Sequence, residues 1–594
     1  MNEPHKNPIP GLHIFFLWLL VTLIYLAASY ISFTVMAEDS YISFRYAENI
    51  AAGYGPVFNA GGEAVEGFSN PLWVGILAVV SKMQVDVPMG ARYIGVFFAA
   101  MCILELMLIG SKYSQSGVQI FLLGTIAAIY PPLLFWGQGG LENGLYLYLM
   151  LGGVRRLIDE IDNGDLIPIS AIFFMLLALT RPEGVMFYVL ALGIFIYSQS
   201  KVKSKRVSSR IAFYIVAILP FFVYLVWRES TFGEFVPNTF YAKVNNGLRH
   251  KAGVGFLYWL GWLLNVRLVV ALAFYFMFER TYSRRFTPLS IKIFDIFVFF
   301  QWLFILYAGG DIHPYDRFTL PIYLLLLVYM VGLISQHRKS GFLNFVTVVV
   351  LATFLAANAI YHYPADDNYP GRGLYPDNAL INNAAGLMRG GYSPDEIRNG
   401  YFSPRYDALD IVGMDLKDDP SVPEGLLATD QCGKIPYRSG RPTLDLFGLN
   451  DPVVARIIHS NQTWDKYATE ILNRQPETFV VFYRDGGLIS RYYLENTVLS
   501  KPFLDRYQPD VLYEITYHYT DIKNNEQTFT HELLRFGIAP DSDLYGTPLS
   551  DSEIEWLRTY QPITYVGGIS IGRIVVDLLD EESADVRTFD VYLN

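Results

Sequence analysis

LHIFFLWLLVTLIYLAASYISFTVMAEDSYISFRYAENI, residues 12–50, decides the fold. Residues 12–34 hold no Asp, Glu, Lys or Arg. About 20 such residues cross the hydrocarbon of a bilayer as one helix. Two adjacent acids, Glu38 and Asp39, follow at once, and then the amphipathic segment YISFRYAENIAA. Composition agrees with a membrane span: 52% of the 594 residues are hydrophobic and 17% are charged, against about 25% charged in ordinary soluble chains. A net charge of −11 excludes a nucleic-acid partner. Two cysteines, Cys102 and Cys432, exclude a disulfide framework, and neither has a metal-ligand spacing.

Outward from this stretch, further apolar runs lie at 91–111, 117–136, 140–154, 166–180, 184–199, 211–228, 257–278, 288–308, 318–335 and 341–361. With 12–34 they predict a polytopic α-helical membrane protein of about 11 transmembrane helices. NPLWVGILAVV (70–80) is too short to span easily and reads as a re-entrant or surface-lying helix. The basic clusters KVKSKRVSSR (201–210), RTYSRR (280–285) and QHRK (336–339) belong in the cytoplasm by the positive-inside rule. They agree with one another only if residues 70–83 do not cross. The N-terminus is then cytoplasmic, and both the loop 35–90 and everything after residue 361 are external. Cleavage of a signal peptide after Val35-Met36-Ala37 is the competing reading. The apolar region exceeds the usual length and its flank is weakly basic, so a retained span is preferred.

Two domains follow, a membrane domain at 1–361 and an external domain at 362–594. YHYPADDNYPGRGLYPDNA (361–379) is a linker rich in Pro, Gly, Asp and Asn. SPDEIRNGYF (393–402) reads as helix, while TFVVFYRD (478–485), VLYEITYHYT (511–520) and GRIVVDLLD (572–580) read as strands. The C-terminal part is therefore a soluble α/β or α+β domain.

The unusual polar residues fall on one side of this map. Glu38 and Asp39 lie there, with Glu142 in GQGGLEN (137–143) and Arg181 and Glu183 in TRPEG (180–184). So do Asn238, Tyr241 and Lys243 in GEFVPNTFYAK (233–243), and Asp311, His313, Asp316 and Arg317 in AGGDIHPYDRF (308–318). Any one of these is read as a solvated loop residue or a structural ion pair. Five clusters on one face are read as one cavity at the membrane boundary. Acids there can deprotonate a hydroxyl and cations can hold a phosphate leaving group, a combination suited to a lipid phosphate.

The ordered motifs resemble a known family. A carboxylate pair after the first span leads into YISFRYAENIAAGYGPVFNAGGEAVEGFSNPLW (41–73). GLEN (140–143), LTRPEG (179–184), VPNTFYAK (236–243), GGDIHPYDRF (309–318) and DLFGLND (445–451) follow. Together they resemble the GT-C class of polyprenyl-phosphate-sugar glycosyltransferases, and within it the mycobacterial terminal β-(1→2) arabinofuranosyltransferases and their bacterial relatives. The resemblance covers nearly all of the membrane part and little of the tail beyond residue 451. It implies a multi-pass protein of the bacterial inner membrane. The donor would be a polyprenyl-phosphate sugar such as decaprenyl-phospho-arabinofuranose, and the acceptor a cell-envelope glycan or glycolipid at the outer face of the bilayer. It also implies a catalytic acid in the first external loop. Relatives tend to carry Asp-Asp where this chain has Glu38-Asp39, so the main role falls on Asp39 and a supporting one on Glu38; the departure leaves the identity of the sugar open.

Under that reading Arg317, Lys243 and His313 hold the donor phosphate. Arg181, Asn238, Tyr241, Glu142 and Asp311 complete the site, and Arg45 faces phosphate or stabilises an acid. With inversion Asp39 is a general base; with retention it is a nucleophile or ion-pair stabiliser. A divalent cation (Mg, Mn or Ca) on Asp39, Glu142 and Asp311 stands beside a metal-free site built from cationic side chains. Asp430, Asp445 and Asp451 either reach the site or belong to turns. Two rival functions are a lipid-linked sugar transporter or flippase, and a non-catalytic surface or motility factor on the same fold. The one-sided polar motifs count against transport, which needs groups at the midplane and on both faces.

Overall fold

The computed structural model describes residues 10–31 and 36–265 (apart from 115, 164–166, 200–206 and 244–247), 289–311, 317–336, 407–484 (apart from 461–462), most of 487–559, and 585–593. The run 341–361, the rest of 257–278, the helix at 393–402, the strand at 572–580 and the linker lie outside these residues.

The chain is a helical membrane protein joined to a mixed-sheet domain. Helix α1 (Gly11–Ile31) has 21 residues and so spans about 30 Å, the thickness of bilayer hydrocarbon. Its outward leucines and phenylalanines are exposed, as a lipid-facing helix requires. The connection to α4 (Val87–Tyr113) carries α2 (Ser40–Ala52) and α3 (Pro71–Lys82). The 12 residues of α3 reach about 18 Å, short of a crossing. Helix α4 is the centre of the bundle, 61% buried over its apolar window. Its start is fixed by the Asp86 side chain, which accepts the Met89 N–H at 2.9 Å.

The expected span at 117–136 is two helices, α5 (Gly117–Ala128) and α6 (Pro131–Gln138), bent by 58°. The Pro131-Pro132 pair supplies no N–H to continue the ladder. Beyond it, α7 (Asn143–Asp162) outruns the expected segment and brings Arg155 and Arg156 onto buried Glu105 at 2.5 and 3.0 Å. Then come α8 (Ser170–Thr180), α9 (Gly184–Gln199), α10 (Val207–Ala217), α11 (Leu219–Phe232), α12 (Asn238–Lys243), α13 (Leu248–Asn265), α14 (Leu289–Ala308) and α15 (Leu320–Gln336). Each of the first ten apolar runs lies wholly or partly on helix. Among the described residues three helices are individually long and apolar enough to cross a membrane, or four if the bent pair is one span.

The C-terminal domain is built on one sheet of order β2-β1-β3-β6-β5-β7, with the two-residue strand β4 (Gly487–Leu488) pairing antiparallel with β3. β1 (Leu427–Thr429) pairs in parallel with β2 (Thr443–Asp445) and β3 (Thr478–Arg484). β5 (Tyr507–Thr520) and β6 (Glu526–Ile538) form a long antiparallel pair, and β7 (Asp585–Leu593) joins β5 in parallel. Alternation sorts the side chains to two faces. Ala428, Phe479, Val481 and Leu534 enter one core, and Leu427, Val480, Phe482 and Leu533 enter the other. Helix α16 (Ala408–Asp418) covers the second core.

The two parts share a third core. Ile42, Tyr46, Phe58 and Phe68 of the first loop pack with Cys432, Leu449 and Ala455 of the sheet domain. Two glycines permit this contact. A Cβ on Gly67 would lie 2.8 Å from both Asn450 Cγ and the Tyr46 hydroxyl, and one on Gly433 would lie 2.6 Å from Glu38 Oε1.

Candidate active site

A cavity of about 660 Å³ opens where these parts meet. Asp39, Glu142, Arg181, Asp311 and Arg317 all line it. All five polar motifs thus converge, GEFVPNTFYAK through its backbone neighbours Pro237 and Thr239 rather than through Asn238, Tyr241 or Lys243, although nearly 280 residues of sequence separate the first from the last. Unsuspected from the sequence, Arg228, Lys251, Asn70, Phe447 and Leu449 line it as well, along with Glu183 of the TRPEG turn.

Asp39 stands at the point where the chain turns into α2. It occupies the N-cap position, yet its side chain makes no capping hydrogen bond. The helix start is held instead by the Ser40 and Tyr41 backbone N–H groups on Ala37 O and Glu38 O, both at 3.1 Å. The carboxylate lines the cavity. The neighbouring Glu38 carboxylate accepts the Gly433 N–H of the C-terminal domain. Burial, then the charge and hydrogen bond of Asp39, push the Glu38 pKa well up; the Gly433 N–H and the Lys434 ammonium oppose this only in part. Glu38 therefore keeps its proton to higher pH than a free glutamate does.

The arginines are matched to carboxylates. Arg181 donates from Nη1 to Glu142 Oε1 at 2.6 Å and from Nε to Glu183 Oε1 at 2.5 Å. Glu142 Oε2 accepts from Asn70 Nδ2 at 2.7 Å, and Asn70 also meets Ser43. Arg317 forks onto Asp311 at 2.7 and 3.1 Å and lies over the Trp136 ring at 5.0 Å. Arg228 pairs with buried Glu66 at 2.7 Å, and Glu66 also accepts the Tyr224 hydroxyl. Lys251 differs. It is 9% exposed, and among the described residues its ammonium meets no carboxylate and makes no hydrogen bond.

Other expected site residues serve the joint between the parts. Arg45 does not line the cavity; its guanidinium donates to Phe58 O, Pro436 O and Arg441 O at 2.7, 2.5 and 2.7 Å. Asn238 donates to Gly448 O and Leu449 O at 2.8 and 2.9 Å. The Tyr241 hydroxyl donates to Glu234 at 3.0 Å. His313 and the Lys243 side chain lie outside the described residues. Asp445 and Asp451 organise turns: Asp445 accepts from the Phe447, Gly448 and Asn450 N–H groups, and Asp451 caps the helix Pro452–His459.

The metal reading fits poorly. Glu142 and Asp311 already accept from arginines, and among the described residues no three His, Cys, Asp or Glu side chains gather as ligands.

Sequence signals for the missed residues were faint. Arg228 is the one charge closing the apolar run 211–228, and a charge in such a run marks a site. Lys251 sits in LRHKAG (248–253), where nothing distinguishes it from any basic loop.

Comparison with known proteins gives three findings. Residues 419–530 match a family model described as "Domain of unknown function (DUF8728)". The chain is 29% identical over 257 residues to a terminal β-(1→2)-arabinofuranosyltransferase of Mycobacterium tuberculosis, and the match spans 40% of each chain. The resemblance carried by the motifs is thus present in direct alignment, although it spans less than half the length of that relative. Crystal structures of ArnT from Cupriavidus metallidurans, apo and bound to undecaprenyl phosphate, superpose with TM-score 0.47 at 12% identity. They cover 87% and 88% of this chain and 97% of their own.

Proposed function

We propose that this protein is a glycosyltransferase. It moves a sugar, arabinofuranose in the first instance, from a polyprenyl-phosphate donor to a hydroxyl of a cell-envelope glycan or glycolipid at the external membrane boundary. The observation that carries the reading is one cavity lined by Asp39 together with Lys251, Arg228 and Arg317, where Lys251 meets no carboxylate among the described residues. An ammonium in that position suits a phosphate oxygen. Arg317 and Arg228, already oriented by Asp311 and Glu66, add donors to the other phosphate oxygens. The apolar lining supports a lipid donor: Phe221 and Leu225 of α11 and Phe304 and Tyr307 of α14 face the cavity. The helical stretch containing α11 is only 11% buried, so its outer side faces lipid. The prenyl chain enters along this wall.

In transfer with inversion, Asp39 takes the acceptor hydroxyl proton as the acceptor oxygen bonds to the anomeric carbon. The bond from that carbon to the phosphate oxygen breaks, and polyprenyl phosphate departs with the electron pair, held by the three cations. In transfer with retention the same carboxylate faces the anomeric carbon. Both routes need Asp39 ionised, and the raised Glu38 pKa favours a neutral neighbour beside it. The expected relative similarity supports arabinose as the first sugar to try. The test is turnover of radiolabelled decaprenyl-phospho-arabinofuranose by the purified full chain, with a synthetic arabinofuranoside acceptor. Release of decaprenyl phosphate with label in the acceptor is expected. No turnover of this or any other pentosyl or hexosyl polyprenyl phosphate would overturn the reading.

A further inference from the structure

We propose that loop 445–451 of the C-terminal domain forms the acceptor-saccharide subsite of this cavity, with Phe447 as the ring on which the acceptor sugar lies. The proposal rests on the transferase reading above.

Among the described residues, only Phe447 and Leu449 of the C-terminal domain reach the cavity; its other lining lies between residues 39 and 318. They reach it on the side of Asp39. Ile42, three residues on and therefore on the same face of α2, lines the cavity and packs in one core with Leu449 and Phe447. The cations and the prenyl-binding wall belong to α11, α13, α14 and the segment at Arg317. Asp39 thus shares one cavity with the donor-side cations and with this loop, which packs beside Ile42 of its own helix. An acceptor hydroxyl must come within about 3 Å of the base, and the loop side is where it can do so without displacing the lipid.

The loop is built to present a side chain rigidly. The Asp445 carboxylate accepts the N–H groups of Phe447 (2.8 Å), Gly448 (3.1 Å) and Asn450 (2.8 Å), and the Asn450 side-chain amide at 2.9 Å. From the membrane part, the Asn238 amide clamps Gly448 O and Leu449 O. Asp451 caps the next helix and is paired with Arg474 at 2.8 Å. Gly448 has φ +81, and a Cβ there would stand 2.7 Å from the Ala455 nitrogen, so the turn is tight against that helix. Between these anchors Phe447 is half-buried, with an edge in the cavity. Neither Phe447 nor Leu449 can hold a phosphate. An aromatic face instead suits the C–H face of a sugar ring, while its hydroxyls meet the polar groups opposite. A few polar groups against aromatic walls is the general make-up of small-molecule sites.

The experiment measures KM separately for donor (decaprenyl-phospho-arabinofuranose) and acceptor (an octyl arabinofuranosyl disaccharide) in the full chain. Phe447→Ala and Phe447→Leu should raise acceptor KM roughly ten-fold, equivalent to about 1.4 kcal/mol, and leave donor KM within about two-fold. Phe447→Tyr, which keeps the ring, should restore acceptor KM. Should the alanine variant fail to fold, the leucine and tyrosine variants decide. Equal rises in both KM values, an unchanged acceptor KM, or a leucine variant as good as tyrosine would overturn the subsite while the active wild type upholds the transferase reading. A wild type that turns over no donor overturns both.

Discussion

Replacing Asp39 by asparagine separates chemistry from architecture. The substitution keeps shape and removes one charge and one proton acceptor. Because the Asp39 side chain makes no capping bond to α2, asparagine forfeits no cap, and stability should stay within about 0.5 kcal/mol. The charge matters more to its neighbours. The Asp39 charge is one cause of the raised Glu38 pKa. In Asp39→Asn that cause disappears, so Glu38 ionises at lower pH while remaining held by the Gly433 N–H. Glu38 does not line the cavity, so it is not expected to inherit the role. Turnover should fall by roughly 10²-fold or more, equivalent to about 2.7 kcal/mol of barrier. The assay is label transfer from decaprenyl-phospho-arabinofuranose in detergent, with thermal unfolding measured alongside. A folded Asp39→Asn protein with near wild-type turnover would refute the assignment and direct attention to Glu142 and Asp311.

Three further outcomes are expected. Glu38 has a folded pKa above its ordinary value of 4.5, so above that pH the folded state holds the proton longer than the unfolded one and stability falls as pH rises; Glu38→Gln should flatten this decline in unfolding midpoints measured from pH 5 to 8, and an unchanged slope would contradict the raised Glu38 pKa. Lys251→Met, which relieves a buried cation, should unfold no earlier than wild type yet raise donor KM at least roughly ten-fold, the loss of one charge-assisted phosphate contact; an unaltered donor KM would remove Lys251 from the phosphate site. Lys82→Cys, at the end of the short helix α3, should react with an impermeant thiol reagent added from outside intact cells, and labelling only from the cytoplasm would reverse the topology.

What the sequence determined about this protein is local. Runs such as 12–34 and 91–111 specify helices because a bilayer requires every backbone group to be satisfied within its own segment, and composition alone reveals such runs. The short, largely apolar run TFVVFYRD specifies a strand covered on both faces, Phe479 and Val481 entering one core and Val480 and Phe482 the other. The acids and arginines at the ends of the runs were legible as a set because charge is rare there. The partner of each was not. Arg45 looked like a phosphate ligand until its bond to Pro436 O, 391 residues away, placed it in the joint between the two parts. Glu38 and Asp39 are neighbours in the chain, but only the docked C-terminal domain gives Glu38 the Gly433 N–H while Asp39 lines the cavity. The bend at Pro131 brings Trp136 under Arg317, and the folding of α11 and α13 around the same space recruits Arg228 and Lys251. Charge pairing and desolvation depend on distance through space, and that distance exists only once the helices have packed and the C-terminal domain has closed the cavity with Phe447 and Leu449.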